Sequence, residues 1–308
     1  MTIPGDSGTA EVAASAVAGP GVRVPRRQSV MRSAAGRDQM TRLLLYGLLI
    51  LGAVLALLPM VWMLSASLMP SGEASTFPPH FFPSRVTFAH YSDLFTRLNL
   101  GRYLINSAFV ALVVTSTSLA INSMAGYAFA KLRFRGRDRL FRMLSTGLVL
   151  PVQVAMLPLF LLLKNLHLIN TYWGVIIPGM ASIFGIFLVR QYALAIPDEM
   201  LDAARVDGAS EFRIFWSIVV PGIVPILATL SIWTFLATWN DFMWPLIVLS
   251  DESHYTLPVA LANLSGEHVQ DTELMMAGSV LTVIPVMLVF LFLQRYYIQG
   301  VMAGSVKG

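Results

Sequence analysis

The residues whose types and spacing could do chemistry are gathered between Pro197 and Pro225, in the stretch PDEMLDAARVDGASEFRIFWSIVVPGIVP. Ala203 and Ala204, next to Asp202, are small, so that another protein's surface could approach the backbone closely. Asp207 and Gly208 follow, and glycine supplies a turn that bulkier residues resist. Pro197, Asp198 and Glu199 read as a helix start, with acids at the positive end of the helix dipole. A second helix is expected from Ser210, a capping residue with Arg213 nearby. Ile214, Phe215, Ile218 and Val219 then form an apolar stripe, and Pro221 and Pro225 mark entry into the next element. Helix, sharp turn and helix could receive another protein's surface. An amphipathic helix lying at a membrane interface fits the same pattern.

Catalytic chemistry finds little to work with. The chain has no cysteine, so disulfides, thiolate nucleophiles and cysteine-held metals are excluded. Its three lysines, Lys131, Lys164 and Lys307, never follow a glycine, so there is no phosphate-cradling Gly-Lys-Ser/Thr loop. There is no HExxH, and the five histidines fall in or beside polar loops, where they read as solvated. We assign no catalytic residue and no metal ligand, and expect no cofactor bound by this chain.

The elements that must position these residues are apolar. The chain of 308 residues is 56% hydrophobic and 12% charged, with mean hydropathy +0.68, against about 25% charged residues in soluble domains. Six stretches are long enough to cross a bilayer, which takes about 20 apolar residues. They are Leu43–Leu68, Ile105–Ala130, Met143–Leu163, Ile169–Val189, Pro221–Asn240 with an extension to Leu249, and Leu274–Gln294. The expected fold is an all-α membrane protein of six transmembrane helices. Basic residues orient it: with the N-terminus inside, seventeen Lys and Arg fall in cytoplasmic segments and four outside. Both termini and the 197–225 loop are then cytoplasmic, and a nucleic-acid role for the basic runs gives way to topology. Residues 1–40 read as a flexible tail, 41–100 as the first span and its outside loop, 101–298 as the transmembrane domain, and 299–308 as a C-terminal tail. Met31 and Met40 are alternative starts.

Polar groups at membrane depth either line a path or bond between helices. Asn122 lies in the second span, Gln153 between Pro151 and Pro158 in the third, and Trp239, Asn240 and Asp241 toward the outer part of the fifth. The tryptophans could stack on a sugar ring or anchor at the interface. Both readings stay open for each residue.

Asp202-Ala203-Ala204, Asp207-Gly208-Ala209, Phe215, Ile218 and Pro221 at these offsets resemble the "EAA" loop of binding-protein-dependent ABC importer permeases. The family's usual Glu is Asp202 here, a carboxylate one methylene shorter. Asn106-Ser107, YAFAKLRFRGR at Tyr127–Arg137, LINTYWGVIIP, Trp239–Phe242 and FPPHFFPSRVTFAHYSDLF are similar to the carbohydrate branch, notably the second permease of maltose-type and glycerol-3-phosphate-type systems. The resemblance runs from about residue 43 to the C-terminus. It implies a multi-pass permease in the cytoplasmic (inner) membrane of a prokaryote, moving a sugar or related solute by alternating access. It also implies a cytoplasmic ATPase dimer that uses ATP and Mg, a second and different permease, a solute-binding protein outside and lipid around. In that frame Asp202 meets a basic residue of the ATPase, Ala203 and Ala204 allow close packing, Gly208 sets the interhelical angle, and Phe215 anchors the second helix on the ATPase or the bundle. Two rivals are a polytopic membrane enzyme and a stand-alone secondary transporter or channel. The first lacks a converging catalytic set. The second calls for charges within spans or an internal repeat, and Asp241 is its one candidate.

Overall fold

The computed structural model describes residues 28–78, 80–267 and 271–305. Among these, the elements are helices joined by turns. In chain order they are α1 (Gln28–Ala66), α2 (Ala89–Thr96), α3 (Leu100–Lys131), α4 (Arg137–Thr146), α5 (Val152–Asn165), α6 (Tyr172–Gly179), α7 (Ile183–Leu194), α8 (Asp198–Val206), α9 (Glu211–Ile214), α10 (Val220–Gly222), α11 (Val224–Trp239), α12 (Met243–Val248), α13 (Leu257–Glu267) and α14 (Thr272–Ser305).

The chain divides into two units, residues 1–59 and 60–308. The first holds the bulk of α1, whose apolar side chains from Leu43 to Leu58 are exposed, as a lipid-facing helix requires. The second is a bundle in which α3 packs on α7 and α11, and α11 packs on α14. Gly126 lets α3 and α7 close: a Cβ there would sit 2.6 Å from Val189 Cγ1 and 3.0 Å from the Arg190 backbone nitrogen.

Four helices are long and apolar enough to cross a membrane, or six if each of two bent pairs counts as one span. Two of the expected spans are bent. The third predicted span, Met143–Leu163, is broken: the segment Arg137–Val149 meets α5 at 106°. Pro151, extended at ψ 130°, stands at the break, because the residue before a proline avoids the helical region and proline itself donates no hydrogen bond. The fifth is entered through an 80° bend between Glu211–Gly222 and α11. The fourth is parted into α6 and α7 by Pro178 and by Ser182, whose hydroxyl accepts from the Gly185 backbone nitrogen at 2.9 Å.

Three further differences concern ends and loops. Helix begins at Gln28, inside the segment read as tail, and α14 runs to Ser305 past the boundary set at 298. A helix nucleated by an apolar span extends one hydrogen bond per residue until something stops it, and no proline lies between Arg27 and Arg42. His90 is not solvated: it is 3% exposed, with Nε2 2.9 Å from the Met69 carbonyl oxygen and Nδ1 3.9 Å from Asp271. His268 lies outside the described residues.

Candidate functional site

The 197–225 segment folds as helix, turn and helix. At nine residues, α8 is too short to hold itself in water. Asp198 and Glu199 occupy its first turn and Arg205 its last, each at the favourable end of the dipole. Leu201, 1% exposed, fixes it to the bundle. The chain leaves α8 through Gly208 at φ +81°, the left-handed conformation expected there. Ala209 N donates to the Ala204 carbonyl oxygen at 2.9 Å, closing the turn. Ser210 caps α9 by accepting from Arg213 N at 3.3 Å. One turn of wider π-helix, Phe215–Val219, carries the chain on to α10.

A chain of charges ties the loop to α3. Arg205 donates from Nη1 to Asp202 at 2.6 Å and from Nε to Glu211 at 2.7 Å. The Tyr127 hydroxyl of α3 donates to the other Glu211 oxygen, again at 2.7 Å. One turn further on, Lys131 donates to the Ile196 carbonyl oxygen at 2.6 Å and to Asp198 at 2.7 Å. The hydrogen bond from Lys131, and then its charge, hold the Asp198 carboxyl below the usual carboxylate range. Hydrogen bonds to Glu211 and Asp202 push Arg205 still further above its ordinary value. The carboxylate of Asp202 therefore has a basic partner within its own chain.

The motif residues divide between two faces. Phe215 is 4% exposed with its ring 5.8 Å from that of Tyr127, so it lies on the bundle; Ile218 and Ala204 are half-buried against the same core. Asp202, Ala203, Asp207, Gly208 and Pro221 are exposed. Beside them stand four large apolar residues that sequence patterning did not single out: Met200, Val206 at 88% exposure, Phe212 and Trp216. Phe212 and Trp216 meet edge to face at 6.2 Å. Small residues, one turn and a few bare apolar side chains make a shallow, partly apolar surface.

The proposed path residues sit in separate environments. Asn122 is 1% exposed and fully used: it donates to Ser118 at 2.9 Å and accepts from Ser182 N at 3.0 Å, pinning the α6–α7 break to α3. Trp239 is 2% exposed, donates to the Thr282 carbonyl oxygen at 3.1 Å and stacks on Phe235. Asn240 is exposed and bonds back to the Leu236 carbonyl oxygen; Asp241 accepts from Trp244 N at the start of α12; Gln153 is exposed near the start of α5. Interhelical bonding, the alternative left open for Asn122, is what its contacts show.

Residues 122–302 match the family described as binding-protein-dependent transport system inner membrane component. The chain is 39% identical over 259 residues to the arabinooligosaccharides transport system permease protein of Halalkalibacterium halodurans, covering 83% of this chain and 93% of that one. It is 32% identical to the lactose transport system permease protein of Rhizobium radiobacter, covering 88% and 98%. Its fold superposes with TM-score 0.75 and 25% identity on a bacterial ABC transporter involved in the import of the acidic polysaccharide alginate, covering 85% of this chain and 98% of that chain. The family match takes in the 197–225 loop, the broken fifth span and the α3 residues Tyr127 and Lys131 that hold the loop, and the chain belongs to the inner membrane permease components of binding-protein-dependent ABC importers.

Proposed function

We propose that this chain is one of two different permeases forming the core of a sugar importer in the cytoplasmic membrane of a prokaryote. The relatives carry arabinooligosaccharides and lactose by name, and a di- or oligosaccharide is the solute class they support. Counting each bent pair as one span gives six spans, and the seventeen-to-four bias of basic residues puts both termini and the 197–225 loop in the cytoplasm. An ATPase dimer, which binds ATP and Mg, docks on that loop, and a solute-binding protein delivers sugar from outside. Alternating access follows when the ATPases close and carry the loop with them.

The observation that carries the reading is the loop itself: a turn at φ +81° with Ala203 and the apolar side chains of Val206 and Phe212 exposed, braced from behind by Tyr127 and Lys131. Two substitutions test it in the assembled importer. Asp202→Lys reverses the charge at the docking surface, and Gly208→Leu forces a branched side chain into a left-handed turn. Each is expected to lower ATP-driven uptake at least tenfold while the subunit still inserts and ATP hydrolysis persists. Uptake at wild-type rates in both would overturn the docking role.

A further inference from the structure

Just beyond the end of α3, the chain forms an open cleft of about 670 Å3 lined by Arg133, Arg137, Arg139 and Arg142, with Phe134 and a single carboxylate, Asp138. Four guanidiniums less one carboxylate leave three positive charges in one place. Asp138 is already used: Arg137 Nε lies 3.1 Å from its carboxylate, and Arg142 Nε donates to its backbone oxygen at 3.3 Å. The three acids of the neighbouring cleft are engaged as well, Asp198 by Lys131, Asp202 by Arg205, and Glu211 by Arg205 and Tyr127. Among the described residues Arg139 and Arg142 make no ion pair, while the Arg133 charge is felt by Asp198.

The cleft is built on a docked element. Phe141 of α4 packs its ring 5.5 Å from Phe129 and stacks on Phe187, and the Arg190 guanidinium lies 4.1 Å over it. Because of the 106° bend, α4 departs from the direction of α5, the helix it leads into. Its apolar residues Leu140 and Met143 remain exposed, Met143 at 75%. Arginines and bare apolar side chains on one short helix, directly after the end of a membrane-spanning helix, are the marks of a helix lying at the headgroup level.

We propose that the Arg133–Arg142 cleft binds the phosphate headgroup of an anionic phospholipid, with Leu140 and Met143 against its acyl chains. The guanidinium fork matches phosphate oxygens in pairs, which an ammonium does not do. Free phosphate would satisfy the arginines and leave the apolar side chains bare. The proposal requires only that the chain spans a membrane; it is independent of the sugar and of the ATPase.

Native mass spectrometry of the full chain, exchanged from nanodiscs of phosphatidylglycerol or of phosphatidylcholine, tests it. Phosphatidylglycerol should be retained in preference to phosphatidylcholine, and more weakly as sodium chloride rises. Each arginine near a charged headgroup is worth about fivefold, so R139Q/R142Q should weaken retention roughly 25-fold, while R139K/R142K, which keeps the charge and loses the paired fork, should fall clearly between R139Q/R142Q and wild type. Equal retention of both lipids, a salt-independent signal, displacement by inorganic phosphate alone, or unchanged binding in R139Q/R142Q would each overturn the site. If R139Q/R142Q lost the ATPase from the complex yet kept its lipid, the cleft would be a protein contact and the proposal wrong. Should R139Q/R142Q fail to fold, the lipid preference and salt dependence of the wild-type chain still decide.

Discussion

Tyr127 and Lys131 stand four residues apart on α3, so they share one face of that helix and both reach the docking loop. Their bonds cross 84 and 67 residues of sequence, to Glu211 and Asp198. A hydrogen bond to a charged group contributes roughly 1.5–3 kcal/mol, and the partial exposure of Glu211 places this one near the lower end. Tyr127→Phe is expected to lower the solute carried per ATP a few-fold without reducing the amount of subunit in the membrane. Glu211→Ala should cost more, because it also releases Arg205, and the double variant should be little worse than Glu211→Ala alone, because Tyr127 then has no partner left to lose. A coupling assay on the four proteins checks this. Asn122 belongs to a different class. Its hydrogen bonds are spent between α3 and the start of α7, so Asn122→Ala should lower thermal stability by roughly 1 kcal/mol and leave solute affinity unchanged. Calorimetry beside an uptake titration separates the two effects.

Among the elements, the loop is legible in the sequence because its signals are local. Pro197 before an acidic first turn, glycine at the break and serine as the next cap each act within four residues, and each is found in its expected role. The struts from α3 are not legible, since nothing in the run YAFAKLRF says which distant carboxylate it will meet. The angles of the bends escape sequence reading for another reason: averaged hydropathy reports whether a stretch prefers lipid and is blind to its direction, so a proline shows where a span breaks and not how far it turns. Pro151 and Pro178 mark such places. Two glycines give predictions at this scale. A Cβ added at Gly208 would meet no atom within 4 Å, so substitution there strains the backbone alone; Gly208→Ala should cost about 1 kcal/mol and Gly208→Asn less, read from the loss of coupling. Gly126 is the opposite case, a steric contact between helices: Gly126→Leu must part α3 from α7, and the amount of subunit in the membrane should fall several-fold by quantitative blot. The Lys131–Asp198 strut sets a pH range. A carboxyl held below its usual value stabilises fully above about pH 4 and loses its effect as pH falls through the lowered value. Thermal stability should therefore show no dependence on this pair between about pH 5 and 8, and Asp198→Asn should shift it by the same amount across that range.

At the scale of the whole molecule, the chain supplies a path and a handle and takes its energy from elsewhere. Composition discloses the membrane, and the motif discloses the family; neither discloses the solute. The polar residues that look most suited to line a path, Asn122 and Trp239, are buried and bonded within the bundle. Of the five path candidates, Gln153, Asn240 and Asp241 are the ones that buried hydrogen bonds within the bundle do not consume. The absence of native cysteine permits a direct test of where the ATPase sits. Ala203 is exposed on the docking loop and Thr76 is exposed on the segment between α1 and α2, which the orientation places outside. Single Ala203→Cys and Thr76→Cys variants, cross-linked in native membranes with a short bismaleimide, give the most direct measurement. The expected result is a covalent adduct of Ala203→Cys with the ATPase subunit, none from Thr76→Cys, and labelling of Thr76→Cys alone by an impermeant maleimide added from outside. Labelling of Ala203→Cys from outside, or no ATPase adduct while the importer is active, would contradict the docking role and the orientation it depends on.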